Sequence, residues 1–492
     1  MRPVSVAEIA AGIGGVTHDP GDLVVGPDVC IDSRAVTPGA LFVALPGENV
    51  DGHRFVQAAL DAGAAAALVN HVPDGVDASR CIVVDAGADG LGVREAFGRV
   101  ARHVIDALPG LRTVALTGSQ GKTSTKDLLA SVLGDAGTTV APEGSHNNEI
   151  GVPLTAVSCD EDTRYLVAEM GARGRGHIAY LCGIVPPSVA VVLNVGVAHL
   201  GEFGSREAIA QAKGEIVEAL DADGWAVLNG TDPYTLGMAA RTRGRIAWFS
   251  GAGRPTEPAD VIVWADDVHV GDLDRHAFTL VVERGDHVER FPVELQVSGR
   301  HQVGNAAAAA AAAVVLGVDP AAVAASLTAA TSRSRWRMEI TRRGDGLVVC
   351  NDAYNANPDS MLAACHSLAA IGRAEQREHP GSRTIAVLGD MLELGDASAA
   401  EHRAIGRAVA ALGIDELIAV GEFADDIVAG VSETDGGSPV STHRAADTQE
   451  ARKLAKQVAS GHDVVLVKAS RSMALEAVAD ELLGVDDSRS GV

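Results

Sequence analysis

The chain has 492 residues, of which 47% are hydrophobic, 21% charged and 3% aromatic; that balance excludes a disordered chain, and the length calls for about three domains rather than one core. A total of 40 Lys and Arg against 65 Asp and Glu leaves a formal charge of −25, which repels nucleic acid and anionic membranes, so no nucleic-acid partner is expected. The six cysteines are scattered without a C-x-x-C pair, which argues against a zinc site or disulfide framework and for a reducing compartment. Residues 1–20 lack a basic stretch followed by an apolar one, and the longest apolar run, 306–316, is shorter than the roughly 18–20 residues of a membrane span. A cytoplasmic protein with no membrane span is expected.

Three blocks follow one another along the chain. Residues 1–108 mix short β-like runs at 41–45, 66–69 and 81–84 with helical stretches, and Leu108-Pro109-Gly110 punctuates the end of this block. Residues 109–330 open with an apolar strand at 113–116 and continue with buried-strand candidates at 165–168, 189–193 and 225–228. Strands alternating with helices predict a parallel sheet covered on both faces. Residues 260–297, rich in Val, Phe and Thr, predict an antiparallel excursion, and a long alanine-rich helix is expected from about Asn305. Residues 331–492 alternate again, with strands expected at 347–350, 384–388, 417–420 and 464–467, as in a Rossmann-like α/β domain without a G-x-G-x-x-G fingerprint.

The strongest local signal is Thr117-Gly118-Ser119-Gln120-Gly121-Lys122-Thr123-Ser124. An apolar strand ends, glycines let backbone N–H groups turn inward, and a helix begins whose N-terminus carries positive dipole charge. Lys122 is placed to neutralise nucleotide phosphates, and the Thr123 hydroxyl to ligate Mg²⁺. The full phosphate-loop pattern asks for a glycine where Leu116 stands, so this is the shorter G-x-x-G-K-T form. Phosphoryl transfer needs a divalent cation near those phosphates. Glu169 closes the strand at 165–168 and His199 follows the one at 189–193. Singly, such a Glu is as often a cap or a surface charge, and such a His is more often structural; together, beside a phosphate loop, they favour metal binding. Lys213 reads from composition as a solvated lysine on a helix.

In order, Asp32-Ser33-Arg34, Asp51-Gly52-His53, the phosphate loop, Asn147-Asn148-Glu149, Glu169-Met170-Gly171, Ala198-His199-Leu200, Ala212-Lys213-Gly214-Glu215, Gly299-Arg300-His301 through Asn305, and Lys468-Ala469-Ser470-Arg471 resemble the Mur ligase family over essentially the whole chain. The stretch Asp352-Ala353-Tyr354-Asn355-Ala356-Asn357-Pro358 resembles the branch that adds D-alanyl-D-alanine to UDP-N-acetylmuramoyl-tripeptide, against branches adding single amino acids or making folylpolyglutamate or cyanophycin. The resemblance implies three α/β domains: a UDP-precursor domain (1–108), a central ATP-binding domain (109–330) and a Rossmann-like acceptor domain (331–492). It implies that Ser33, Arg34 and Asn148 meet the UDP precursor, and that Gly118, Ser119, Gln120, Gly121, Lys122, Thr123, Ser124, Asn305 and Arg337 meet ATP. It further implies that Tyr354, Asn355, Asn357, Lys468 and Arg471 meet the acceptor. Thr123, Glu169, His199 and a carbamylated Lys213 would hold two Mg²⁺ ions; Lys122, Glu169, His199, Lys213 and Asp352 are the catalytic candidates in a monomeric enzyme. Two positions depart from the family's pattern: Gln302 in place of asparagine, and Ala469 in place of glycine.

Overall fold

The computed structural model describes residues 1–47, 50–87, 90–196, 203–434 and 439–485. Near the N-terminus, the short strands Val29–Cys30, Leu41–Val43, Ala66–Val69 and Cys81–Val83 form a four-stranded parallel sheet. The helix Gly92–Asp106 buries Val93, Ala96, Phe97, Val100, Ala101 and Val104, one stripe at helical spacing. That stripe joins Val152 and Ala156 of the helix Gly151–Val157 in a single apolar cluster, so the first sheet's layer and the central one share a core.

The central sheet has nine strands. Thr139–Val140, Tyr165–Glu169, Arg112–Thr117, Val189–Val192, Trp225–Asn229, Arg245–Ser250 and Val261–Val270 lie side by side in parallel. Arg275–Arg284 and His287–Ser298 then extend it antiparallel, the excursion expected from the Val- and Thr-rich sequence. Near-continuous apolar runs suit strands covered on both faces. On one face lies the helix His301–Val315, whose alanines 306–313 are all 0% exposed; methyl-sized side chains let its backbone approach the sheet closely. This helix starts four residues before the expected Asn305, after the left-handed turn at Gly299 (φ 107°), and so presents Gln302 and Asn305 one turn apart on one side.

The third sheet has six strands in the order Glu339–Arg342, Val348–Asn351, Val464–Lys468, Thr384–Leu388, Glu416–Val420 and Ser441–Ala445, parallel except for the first pair. The strands expected at 347–350, 384–388, 417–420 and 464–467 all lie within it. No helix among the described residues is long and apolar enough to cross a membrane.

Candidate active site

The strand Arg112–Thr117 pairs with Tyr165–Glu169 on one side and Val189–Val192 on the other, so the chain changes direction across the sheet here. In open parallel sheets, ligands bind outside the strand C-termini at such a point. Three strand ends meet there: the loop Gly118–Gly121, Glu169 and Asn194. Asn194 Oδ1 accepts from the backbone N–H groups of Ser119 and Gln120, both at 3.1 Å, and its amide donates to the Gln120 carbonyl at 3.2 Å. Gly121 is left-handed (φ 80°), and a Cβ on it would lie 2.5 Å from Asn305 Oδ1, so only glycine fits. Asn305 Nδ2 donates to Gln302 Oε1 at 2.8 Å, so the glutamine in place of asparagine still makes an amide contact. Lys122 Nζ donates to the Gly118 carbonyl at 2.8 Å; burial lowers its pKa, with Glu169 acting in the opposite direction.

Glu169 is fully buried and accepts from three donors. Its Oε2 accepts from the Thr123 hydroxyl at 3.0 Å, and its Oε1 from Ser145 Oγ and Asn147 Nδ2, each at 2.8 Å. Arg337 Nη2 donates to the same Thr123 hydroxyl at 3.2 Å, the Arg337 guanidinium lies 4.1 Å from the centre of the Tyr354 ring, and Arg337 Nε is buried without a hydrogen-bond partner among the described residues. Lys213 is 3% exposed, not a solvated lysine; burial, and secondarily the Lys122 charge, put its pKa well below the ordinary lysine range. Thr123, Ser145 and Glu169 offer hard oxygen donors of the kind Mg²⁺ takes. His199 lies outside the described residues.

The facing wall comes from the third sheet. Lys468 closes Val464–Lys468, and its Nζ donates to Asp352 Oδ2 at 2.7 Å and to the Asn355 carbonyl at 2.7 Å. It is 2% exposed, so its cation holds the Tyr354–Asn357 turn in place as much as it faces the cleft. Asn357 caps the helix Pro358–Glu378 through a reciprocal contact with Ser360. Arg471 pairs with Glu476 at 2.8 Å and lies 4.4 Å from the centre of the Trp336 ring. Ala469 is fully buried outside the left-handed region, beside Gly389, whose missing side chain makes room for it.

One cleft is lined by Ser119–Ser124, Asn148, Glu169, Lys213, Arg337, Asp352, Tyr354, Asn355, Asn357 and Lys468. His301 lines it too; sequence reading gave this residue no role, nor Ser145, Asn147 or Asn194. Ser33 and Arg34 are not brought to this cleft. They sit in the turn Ser33–Ala35, where Arg34 is bound to Asp32 and holds that carboxyl at about 2. Asn148 Oδ1 accepts from the Gly151 N–H at 2.8 Å, and neighbouring Glu149 bridges Arg94 of the helix Gly92–Asp106 (3.4 Å) and His177 (3.3 Å).

Family models match three successive stretches: the Mur ligase family catalytic domain over 28–103, the Mur ligase middle domain over 116–313, and the Mur ligase glutamate ligase domain over 336–471. The UDP-N-acetylmuramoyl-tripeptide–D-alanyl-D-alanine ligase of Mycobacterium bovis is 42% identical over 99% of both chains, and that of Escherichia coli 37% identical over 92% of both. Among solved structures, MurF from Acinetobacter baumannii superposes with a TM-score of 0.81 at 30% identity, covering 98% of this chain and 99% of that one. MurF ligase from Thermotoga maritima in complex with ADP gives 0.72 at 27% identity, covering 94% and 98%.

Proposed function

This chain belongs to the Mur ligase family, and from that premise we propose that its cleft joins D-alanyl-D-alanine to UDP-N-acetylmuramoyl-tripeptide at the expense of ATP, a ligase step of peptidoglycan synthesis. The observation that carries the reading is the convergence of the phosphate loop, buried Lys213 and the Tyr354–Asn357 turn on one cleft.

A carboxylate resists nucleophiles because of its charge. ATP supplies the remedy: the tripeptide's terminal carboxylate attacks the γ-phosphorus, the bond to the ADP oxygen breaks, and an acyl phosphate forms. The dipeptide's amine then attacks the acyl carbon; a C–N bond forms, the amine loses its proton, and phosphate departs with the electron pair of the C–O bond. The protein's share is positioning and charge neutralisation. The loop N–H groups cradle the phosphates, Lys122 leaves the Gly118 carbonyl for them, and Arg337, which meets the Thr123 hydroxyl, neutralises charge on the transferred group. Asp352 and Lys468 hold the turn that presents Tyr354 and Asn355 to the acceptor, beside Arg471.

Mg²⁺ would be held by Thr123, Glu169, His199 and a carbamate on Lys213, and would supply neutralisation of the phosphate oxygens. The buried Lys213 supports the carbamate, because a neutral amine is the form that takes up CO₂. The first domain (1–108) takes the UDP end through Ser33 and Arg34, joined by Asn148 of the central domain; the central domain (109–330) takes ATP, and the third (331–492) takes the acceptor. The reading includes a monomer working in the cytoplasm, where ATP is supplied. The test is to mix the protein with ATP, Mg²⁺, UDP-N-acetylmuramoyl-tripeptide and D-alanyl-D-alanine. Phosphate release should need both peptides and yield the pentapeptide by mass; release without the dipeptide would refute the reading.

A further inference from the structure

The helix Lys122–Ala136 carries the phosphate-binding groups in its first turn and a second polar cluster in the next. Lys126 and Asp127 are 1% and 4% exposed and form an ion pair at 2.7 Å. Burying two charges is a poor route to stability, since desolvation offsets their attraction, so the reason for the pair lies in what it touches.

Lys126 Nζ donates to the carbonyls of Pro142 at 2.6 Å and Gly144 at 3.1 Å, directly before Ser145 and Asn147, the two donors on Glu169 Oε1. Asp127 accepts from the Ser334 backbone N–H at 2.9 Å and from its hydroxyl at 3.1 Å, while Lys126 donates to the same hydroxyl at 3.3 Å. Ser334 is 5% exposed and stands three residues before Arg337. Arg337 itself is flanked by Trp336 (φ 59°) and Met338 (φ 52°), left-handed conformations that L side chains hold only where the surroundings dictate them.

We propose that the Lys126–Asp127 pair positions the ATP site, tying to one helix both the turn that steadies Glu169 and the interdomain segment that delivers Arg337 to Thr123. The segment 334–338 then has no freedom to carry Arg337 away from the phosphates while the helix and its loop stay put. Lys126 and Asp127 are positioning residues: neither lines the cleft, and both act through groups that do. The proposal rests on the reading that Arg337 meets the ATP phosphates.

A double-mutant cycle on the full chain tests it, with a non-hydrolysable ATP analogue and Mg²⁺ as the probe. Asp127→Asn and Ser334→Ala should each weaken analogue binding by about 5- to 10-fold when Arg337 is present, and by less than about 2-fold in an Arg337→Ala chain. In the ligation assay both variants should lower kcat while leaving the KM for D-alanyl-D-alanine unchanged. An equal loss in both backgrounds, or a lower Tm with unchanged analogue binding, would reduce the pair to a staple of the fold. Ser334→Ala removes a hydroxyl and no charge, so it decides the matter where Asp127→Asn fails to fold. A wild-type chain that binds the analogue but does not ligate would overturn the substrate reading and leave the cycle readable.

Discussion

The hydroxyl of Thr123 donates to Glu169 Oε2 at 3.0 Å, linking the first turn of the phosphate-loop helix to the end of the neighbouring strand. Glu169 accepts three hydrogen bonds in full burial, so its position is fixed and its charge is what remains to act on a cation. In Glu169→Gln the amide can turn its NH₂ toward Thr123 and keep its oxygen for Ser145 and Asn147. The fold should survive with a Tm within a few degrees of the parent, while ligation falls by about 100-fold or more and needs more Mg²⁺. Phosphate release titrated with Mg²⁺ checks this; an unchanged kcat would remove Glu169 from the site.

Asn194 supports the loop rather than the reaction. It satisfies two loop N–H groups and one loop carbonyl, so Asn194→Ala strands buried backbone groups next to the phosphates. The expected result is a rise of about 10-fold in the KM for ATP and a smaller change in kcat, read from initial rates at saturating peptide. A change in kcat alone would mean that Asn194 touches the chemistry itself.

Lys213 gives a pH prediction. Its pKa in the folded protein lies below the unfolded one because burial disfavours the ammonium, so between the two values the unfolded chain binds one more proton. The unmodified lysine therefore destabilises the fold fully below the folded pKa, and stability rises with pH through the window up to the ordinary lysine value. Carbamylation removes that dependence. At fixed pH, bicarbonate should raise both Tm and activity, and acid should reverse both. Lys213→Ala should lose activity and recover part of it with formate or acetate; a folded variant that neither salt rescues would count against the carbamate.

What the sequence made legible follows from burial. Parallel strands covered on both faces read as unbroken apolar runs, which is why 113–116, 165–168 and 189–193 were found and Glu169 stood out at a strand end. Ser441–Ala445, an edge strand carrying Thr, His and Arg, has no such run and was missed. Lys213 and Lys126 look alike in sequence, as lysines on helices. Only packing separates these two buried amines from solvated ones, although the family resemblance had already singled out Lys213. Asn194, Ser145 and Ser334 owe their roles to residues far along the chain, beyond the reach of local spacing. Lys468, assigned to the acceptor by the resemblance, is also held by Asp352, which directly follows the adjacent strand Val348–Asn351 of the third sheet, a pairing that local spacing does not reveal.

Ala469 and Gly389 offer a test of packing apart from chemistry. A Cβ on Gly389 would lie 2.8 Å from Ala469 Cβ and 2.7 Å from Met473 Sδ, so Gly389→Ala should cost about 1–3 kcal/mol by overpacking. Ala469→Gly alone should cost about 1 kcal/mol, through a lost buried methyl and a freer unfolded chain. If the two positions share one volume, the double variant should be more stable than the sum of the single costs allows, with Met473 shifting its flexible end. Urea midpoints of the four chains measure the coupling. Strictly additive costs would mean that the glycine at 389 answers to Met473 alone and that the alanine at 469 needed no accommodation from it.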